Sequence, residues 1–221
     1  MSAPDITGRG QSAWLDAIAK WGWRRADLAD AARLSGLLAD EIRALAGDRI
    51  DALVALQDRV AAEAAAGAYE AGGSVRDRLF DGLMRGFDAA QAHRAAVLAI
   101  WSSRDPGVLL LLGGRAGLHV RRLALAAGAD VSGPRGHLRL AGLAALIAQA
   151  FAAWRSDDSP DMSATMAELD RLLERAERAE TEGLSPDLIG LPGLSSLVSR
   201  LPWRRGSGDP APPPSHDPAL G

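Results

Sequence analysis

Residues 26–45 read Ala26-Asp27-Leu28-Ala29-Asp30-Ala31-Ala32-Arg33-Leu34-Ser35-Gly36-Leu37-Leu38-Ala39-Asp40-Glu41-Ile42-Arg43-Ala44-Leu45. They hold two short helical patterns, at about 26–33 and 37–45, parted by one tight break. A third pattern precedes them at about 11–20. A longer one follows at 49–66, where Ile50, Leu53, Val54, Leu56 and Val60 form an amphipathic stripe of helical period among Asp and Arg. Three short helices and a connector make one small module, expected over 11–67 behind a flexible N-terminus at 1–10.

The Gly- and Ala-rich stretch Ala65 to Ser74 reads as a hinge, and a second group of helices follows at about 75–87, 89–103, 107–127, 135–155 and 161–180. The clearest helix spaces Leu143, Leu146, Ile147, Ala150, Phe151 and Trp154 by threes and fours. The next repeats Met162, Met166, Leu169, Leu173 and Ala176. A helical bundle over 74–180 is expected, with these last two helices suited to a homodimer interface. Beyond Thr181, Gly and Pro punctuate the chain. An amphipathic terminal helix is expected at 187–205, then a Pro-rich disordered tail at 206–221.

Composition supports an all-α fold: of 221 residues only one is Tyr and three are Phe, and Ala, Leu, Arg, Asp and Glu dominate. With 25 Lys+Arg against 28 Asp+Glu the formal charge is −3, which excludes wholesale coating of a polyanion. No cysteine is present, so disulfides, a thiolate nucleophile and a Cys-ligated zinc are excluded. The apolar run Gly107 to Gly114 is cut short by Arg115, well below the roughly 20 residues of a membrane-spanning helix. The N-terminus has neither a secretory nor a transit pattern. A cytoplasmic address is therefore expected.

The framework Leu28-Ala29, Ala32, Leu34-Ser35, Leu45 and Leu53 resembles the signature of TetR-type regulators, whose helix-turn-helix precedes a long fourth helix. The resemblance implies a TetR-like helical bundle and a ligand-responsive, DNA-binding regulator, with Arg24, Arg25, Ser35, Arg43 and Arg49 as the candidate DNA contacts. Where the family carries a turn glycine this chain has Arg33, and Asp40 and Glu41 stand where a tyrosine is expected. Residues 1–60 hold eight basic and nine acidic side chains, a net of −1, whereas duplex affinity comes largely from neutralising phosphates.

Further on, Trp154-Arg155-Ser156-Asp157-Asp158-Ser159-Pro160-Asp161 and Thr165-Met166-Ala167-Glu168-Leu169-Asp170-Arg171 resemble the Trp-x-x-Asp-Asp-Ser and Thr-x-x-x-Leu-Asp-Arg runs of the coenzyme Q nine proteins, accessory factors of ubiquinone biosynthesis. Gly22-Trp23, Val75 to Leu79 and Ala127-Gly128 extend the likeness. It implies a noncatalytic, dimeric protein of TetR-like fold. Such a protein holds an isoprenoid or phospholipid, assists a quinone-pathway hydroxylase and touches the inner membrane face peripherally. The pocket expected on this basis is lined by Leu83, Phe87, Leu98, Trp101, Leu109, Leu112, Leu143, Ile147, Phe151 and Trp154. Leu194, Leu197, Val198, Leu201 and Trp203 beside Arg204 and Arg205 are expected to contact an anionic membrane surface.

No residue set suits catalysis, a metal or a cofactor, so no enzyme activity and no cofactor are expected. Asp157, Asp158 and Asp161 have no His beside them and suit the start of a helix. His93, His119 and His137 share no ligand-like spacing. Gly113, Gly114 and Gly117 follow no strand and lack a Gly-Lys-Ser ending, so close helix packing is expected there before a pocket.

Overall fold

The computed structural model describes residues 3–182. The chain beyond them includes the expected amphipathic helix at 187–205, with Leu194, Leu197, Val198, Leu201, Trp203, Arg204 and Arg205, and the expected tail at 206–221; both lie outside the described residues. Residues up to Glu177 gather into one unit, to which the packing below refers.

Among the described residues nine helices and no strand occur. The first three are α1 (Ala3–Trp21), α2 (Leu28–Ser35) and α3 (Ala39–Ala46), and α1 begins eight residues before the sequence pattern suggested. Trp14, Leu15 and Ile18 of α1, Ala31 of α2 and Ile42 of α3 are buried in one cluster, so three short amphipathic helices share one core. Asp27 caps α2 by accepting from the Asp30 N–H at 2.8 Å, and Gly36 ends it at φ 69°, a left-handed conformation that suits glycine. The α2–α3 turn is thereby fixed by local chemistry.

Asp48 opens α4 (Arg49–Glu70) and Ser74 opens α5 (Val75–Gln91), each paired with a carboxylate three residues on, Asp51 and Asp77. The expected hinge at 65–74 shrinks to four residues, because α4 stays helical through its alanines to Glu70. α4 and α5 meet through small residues. A Cβ built on Gly82 would lie 2.6 Å from the Ala64 carbonyl oxygen, and one on Gly86 would lie 3.0 Å from the Ala64 Cβ. Such an approach needs glycine.

α6 (Arg94–Ser102) and α7 (Pro106–Ala126) bend by 117° at the Asp105-Pro106 break, where Asp105 caps α7 and accepts from the Trp23 indole N–H at 3.2 Å. α8 (Gly133–Ser156) and α9 (Ser163–Glu182) complete the described fold. Leu83 and Phe87 of α5, Leu146, Ala150 and Trp154 of α8 and Leu169, Leu172 and Leu173 of α9 form a second core cluster. α8 is long and apolar enough to cross a bilayer by composition, at mean hydropathy 1.3. Only 22% of that apolar stretch is buried in this fold, and Leu143, Leu146, Ala150 and Trp154 face the protein interior.

Candidate functional site

The leading surface of the front module is built by α2, its turn and α3. With Ala31 and Ile42 fully buried, α3 directs Asp40, Glu41, Arg43 and Ala44 outward, and Leu38 stands 69% exposed at its start. The cations on this surface are engaged locally: Arg33 pairs with Asp30 at 2.8 Å and Arg43 with Asp40 at 3.0 Å. Both are exposed i,i+3 pairs, which typically contribute under about 1 kcal/mol and release their arginine easily.

Of the sequence-predicted DNA contacts, Arg25 is exposed with no bonded partner among the described residues, and Arg24 donates weakly to the Ser103 carbonyl at 3.3 Å. Arg49 faces inward, stacking over the Trp23 ring at 5.1 Å and donating to the Trp23 carbonyl at 3.0 Å. The Ser35 hydroxyl donates to the Ala31 carbonyl at 2.7 Å and accepts from the Leu37 N–H. The fold therefore brings Arg24, Arg25 and Arg43 to the surface and uses Ser35 and Arg49 structurally.

The Trp-x-x-Asp run forms the corner between α8 and α9. Trp154 is fully buried, stacked on Phe87 and Phe151 at 6.2 and 5.6 Å, with the Arg94 guanidinium over its ring at 4.6 Å. Arg94 also donates to the carbonyls of Trp154, Arg155 and Asp157. The Asp157 carboxylate accepts from both groups of Ser159 and, at 2.7 Å each, from the Thr165 hydroxyl and N–H. The Ser159 hydroxyl and the Thr165 bonds hold it well below the usual carboxylate range. The helix start expected at Asp158 to Asp161 falls two residues later, and its main anchor is Asp157. Asp158 is wholly exposed, while Asp161 accepts from the Ser163 N–H. Asp157 ties this corner.

The ten residues expected to line a pocket are spread over several environments. Leu83, Phe87 and Trp154 lie in the second core cluster, with Leu98, Ile147 and Phe151 packed against it. Leu143 lies in a smaller cluster with Val120, Ala124 and Val131, and Leu112 packs against the front-module core. Trp101 and Leu109 are 41% and 45% exposed, with Trp101 edge-on to Phe151 and beneath the Arg155 guanidinium. Two concavities among the described residues lie elsewhere. One of about 450 Å³ is bordered by Gly8, Arg9, Ser12, Ala13, Asp16, Ser35 and Arg59. A second, about 470 Å³, is an open groove between α8 and α9.

A polar cluster absent from the sequence-level expectations joins α4 to α7. Asp58 accepts from Arg115 and lies 3.3 Å from His119 Nε2, whose side chain is only 10% exposed. Burial pushes the His119 pKa down, Asp58 opposes this, and Arg115 and Arg122 reinforce it. The i,i+4 spacing of Arg115 and His119 is the signal the sequence offers. His93 is likewise lowered, chiefly by burial, and the exposed His137 bonds the Gly133 carbonyl. Among the described residues no group of three His, Asp or Glu could hold a metal ion.

No protein-family model matches the chain, and no curated protein matches it. Its backbone is similar to the crystal structure of the TetR transcriptional regulator from Nitrosomonas europaea ATCC 19718, with a TM-score of 0.66 and 21% identity, over 78% of this chain and 98% of that one. The chain has a TetR-type fold. Within that fold α2 and α3 form the helix-turn-helix, α4 connects it to the bundle, and α5 to α9 are the bundle itself.

Proposed function

We propose that this chain is a noncatalytic, ligand-responsive transcriptional regulator acting as a homodimer. The observation that carries the proposal is the intact helix-turn-helix, with α3 held face-outward by Ala31 and Ile42, in a backbone that matches nearly the full length of a TetR regulator. Arg24, Arg25 and Arg43 are the phosphate contacts. The carboxylates of Asp40 and Glu41 keep nonspecific affinity low, so recognition depends on few contacts and a well-matched operator. The dimer forms through α8 and α9: the outward side of α8 is Ala141, Ala148 and Ala152 with Leu138, a low-relief surface that allows close helix approach. Sequencing of genomic fragments captured by the purified protein tests the proposal. Enrichment of a two-fold symmetric site that disappears in Arg25→Gln/Arg43→Gln supports it, and capture no better than that variant's refutes it.

A second reading, the lipid-binding accessory role, is kept because the net charge of −1 over residues 1–60 and the acidic start of α3 weigh against phosphate contacts. In it the dimer carries an isoprenoid or phospholipid, serves a quinone-pathway hydroxylase, and touches the membrane through the segment from Leu194 to Arg205. Mass spectrometry of protein purified without detergent separates the two readings. A stoichiometric isoprenoid or phospholipid in protein that captures no DNA would favour the second.

A further inference from the structure

Away from the helix-turn-helix and the α8–α9 side, α7 turns outward a face that nothing in the described chain covers. Leu110, Gly114, Leu118, Arg121 and Leu125 succeed one another at steps of three and four, one stripe about 22 Å long at the rise of an α-helix. Leu110 is 78% exposed, with Leu118 and Leu125 about half exposed. Val120, Leu123 and Ala124 already supply the buried side, so these leucines are surplus to the core.

Within the described residues the glycines expected to seat a neighbouring helix do not: a Cβ at Gly113, Gly114 or Gly117 would meet nothing within 4 Å there. Charge singles out the same helix. α7 carries three arginines and no carboxylate, in a chain whose net charge is −3, and Arg115 is taken up by Asp58 of α4. Arg121 and Arg122 are exposed and pair with no carboxylate among the described residues.

We propose that this face of α7 docks on an anionic lipid bilayer, with Leu110, Leu118 and Leu125 entering the headgroup boundary and Arg121 and Arg122 meeting lipid phosphates. Three occupants compete for such a surface, and the residues favour the bilayer. A soluble polyanion satisfies the arginines but leaves the leucines in water. A second copy pairing face to face brings four arginines into one interface to which neither α7 contributes a carboxylate. An anionic bilayer takes both groups at once, which is how amphipathic helices bind membrane surfaces. The proposal does not depend on DNA binding, and it concerns residues other than the segment from Leu194 to Arg205.

Cosedimentation of the full-length protein with vesicles of phosphatidylcholine, alone or mixed with phosphatidylglycerol, tests it. Binding is expected only to the mixed vesicles. Arg121→Gln/Arg122→Gln weakens partitioning roughly thirtyfold. Leu110→Ser/Leu118→Ser causes a loss that lowering the salt does not fully restore. Circular dichroism and melting of both variants match the wild type, since all four side chains are exposed. Three results overturn the proposal. In the first, the wild type does not bind the mixed vesicles. In the second, binding survives both α7 variants but is lost in Arg200→Gln/Arg204→Gln/Arg205→Gln. In the third, the α7 arginines prove necessary for retention on duplex DNA but not on vesicles.

Discussion

Alanine in place of Gly82 and alanine in place of Gly114 are the same chemical change on two helices, and the surroundings give them opposite signs. A Cβ at position 82 would lie 2.6 Å from the Ala64 carbonyl oxygen, 2.8 Å from the Ala68 Cβ and 3.0 Å from the Ala68 nitrogen. Two of those atoms are backbone, so α4 and α5 must separate. Overpacking costs about 1–3 kcal/mol, with a backbone clash at the upper end, while the better helix propensity of alanine returns about 1 kcal/mol. The expected net loss is about 2 kcal/mol. At Gly114 a Cβ meets nothing within 4 Å, so only the propensity gain of about 1 kcal/mol remains. For a chain of this size Gly82→Ala should lower the melting temperature by about 4–8 °C and Gly114→Ala should raise it by about 2–4 °C. Scanning calorimetry on the two variants decides the matter. A Gly82→Ala protein that melts at or above the wild type would refute the close α4–α5 contact on which the placement of the helix-turn-helix rests.

Three further outcomes are expected. Trp154→Ala should cost about 3–5 kcal/mol in urea unfolding. Trp154→Phe should cost far less, because it keeps the ring stack and removes an indole N–H that is buried without a partner; equal losses would contradict that environment. Burial lowers the His119 and His93 pKa values in the folded state, so below about pH 6.5 the unfolded chain binds protons that the folded chain does not, and stability should fall as pH is taken from 7.5 to 5.5. His119→Met/His93→Gln should flatten that slope, and an unchanged slope would exclude both groups. If the proposed α8–α9 dimer forms, Ala148→Glu, on the outward side of α8, should convert it to a folded monomer in analytical ultracentrifugation, whereas a persisting dimer would place the interface elsewhere.

The positions of eight of the nine helices can be read from the sequence to within a few residues, because Pro106, Gly36, Asp48 and Ser74 each act through local chemistry that needs no tertiary context. The start of α1 cannot, since Pro4, Gly8 and Gly10 argue locally against helix while Gly10 fits closely against Ala46 of α3. Glycine roles are the clearest divergence. Gly113 and Gly117 look like packing residues by spacing but meet none of the described residues, whereas Gly82 and Gly86, inconspicuous in the sequence, carry the close α4–α5 contact. Spacing names a face, and only the partner helix says whether that face is covered. The same limit applies to the site. Arg49 has the position of a phosphate contact, yet Trp23, 26 residues away in sequence, captures its guanidinium. Asp157 appears as one carboxylate of a run, and the Thr165 and Ser159 bonds that make it the corner of the bundle depend on how the chain turns.

The salt dependence of affinity for a captured operator duplex tests the regulatory role most directly. Arg24, Arg25 and Arg43 in each protomer give six phosphate contacts per dimer, so log K against log salt should fall with a slope of about −5, and by about two contacts less in Arg25→Gln. A slope near zero, or one that Arg25→Gln leaves unchanged, would contradict DNA recognition by this front module.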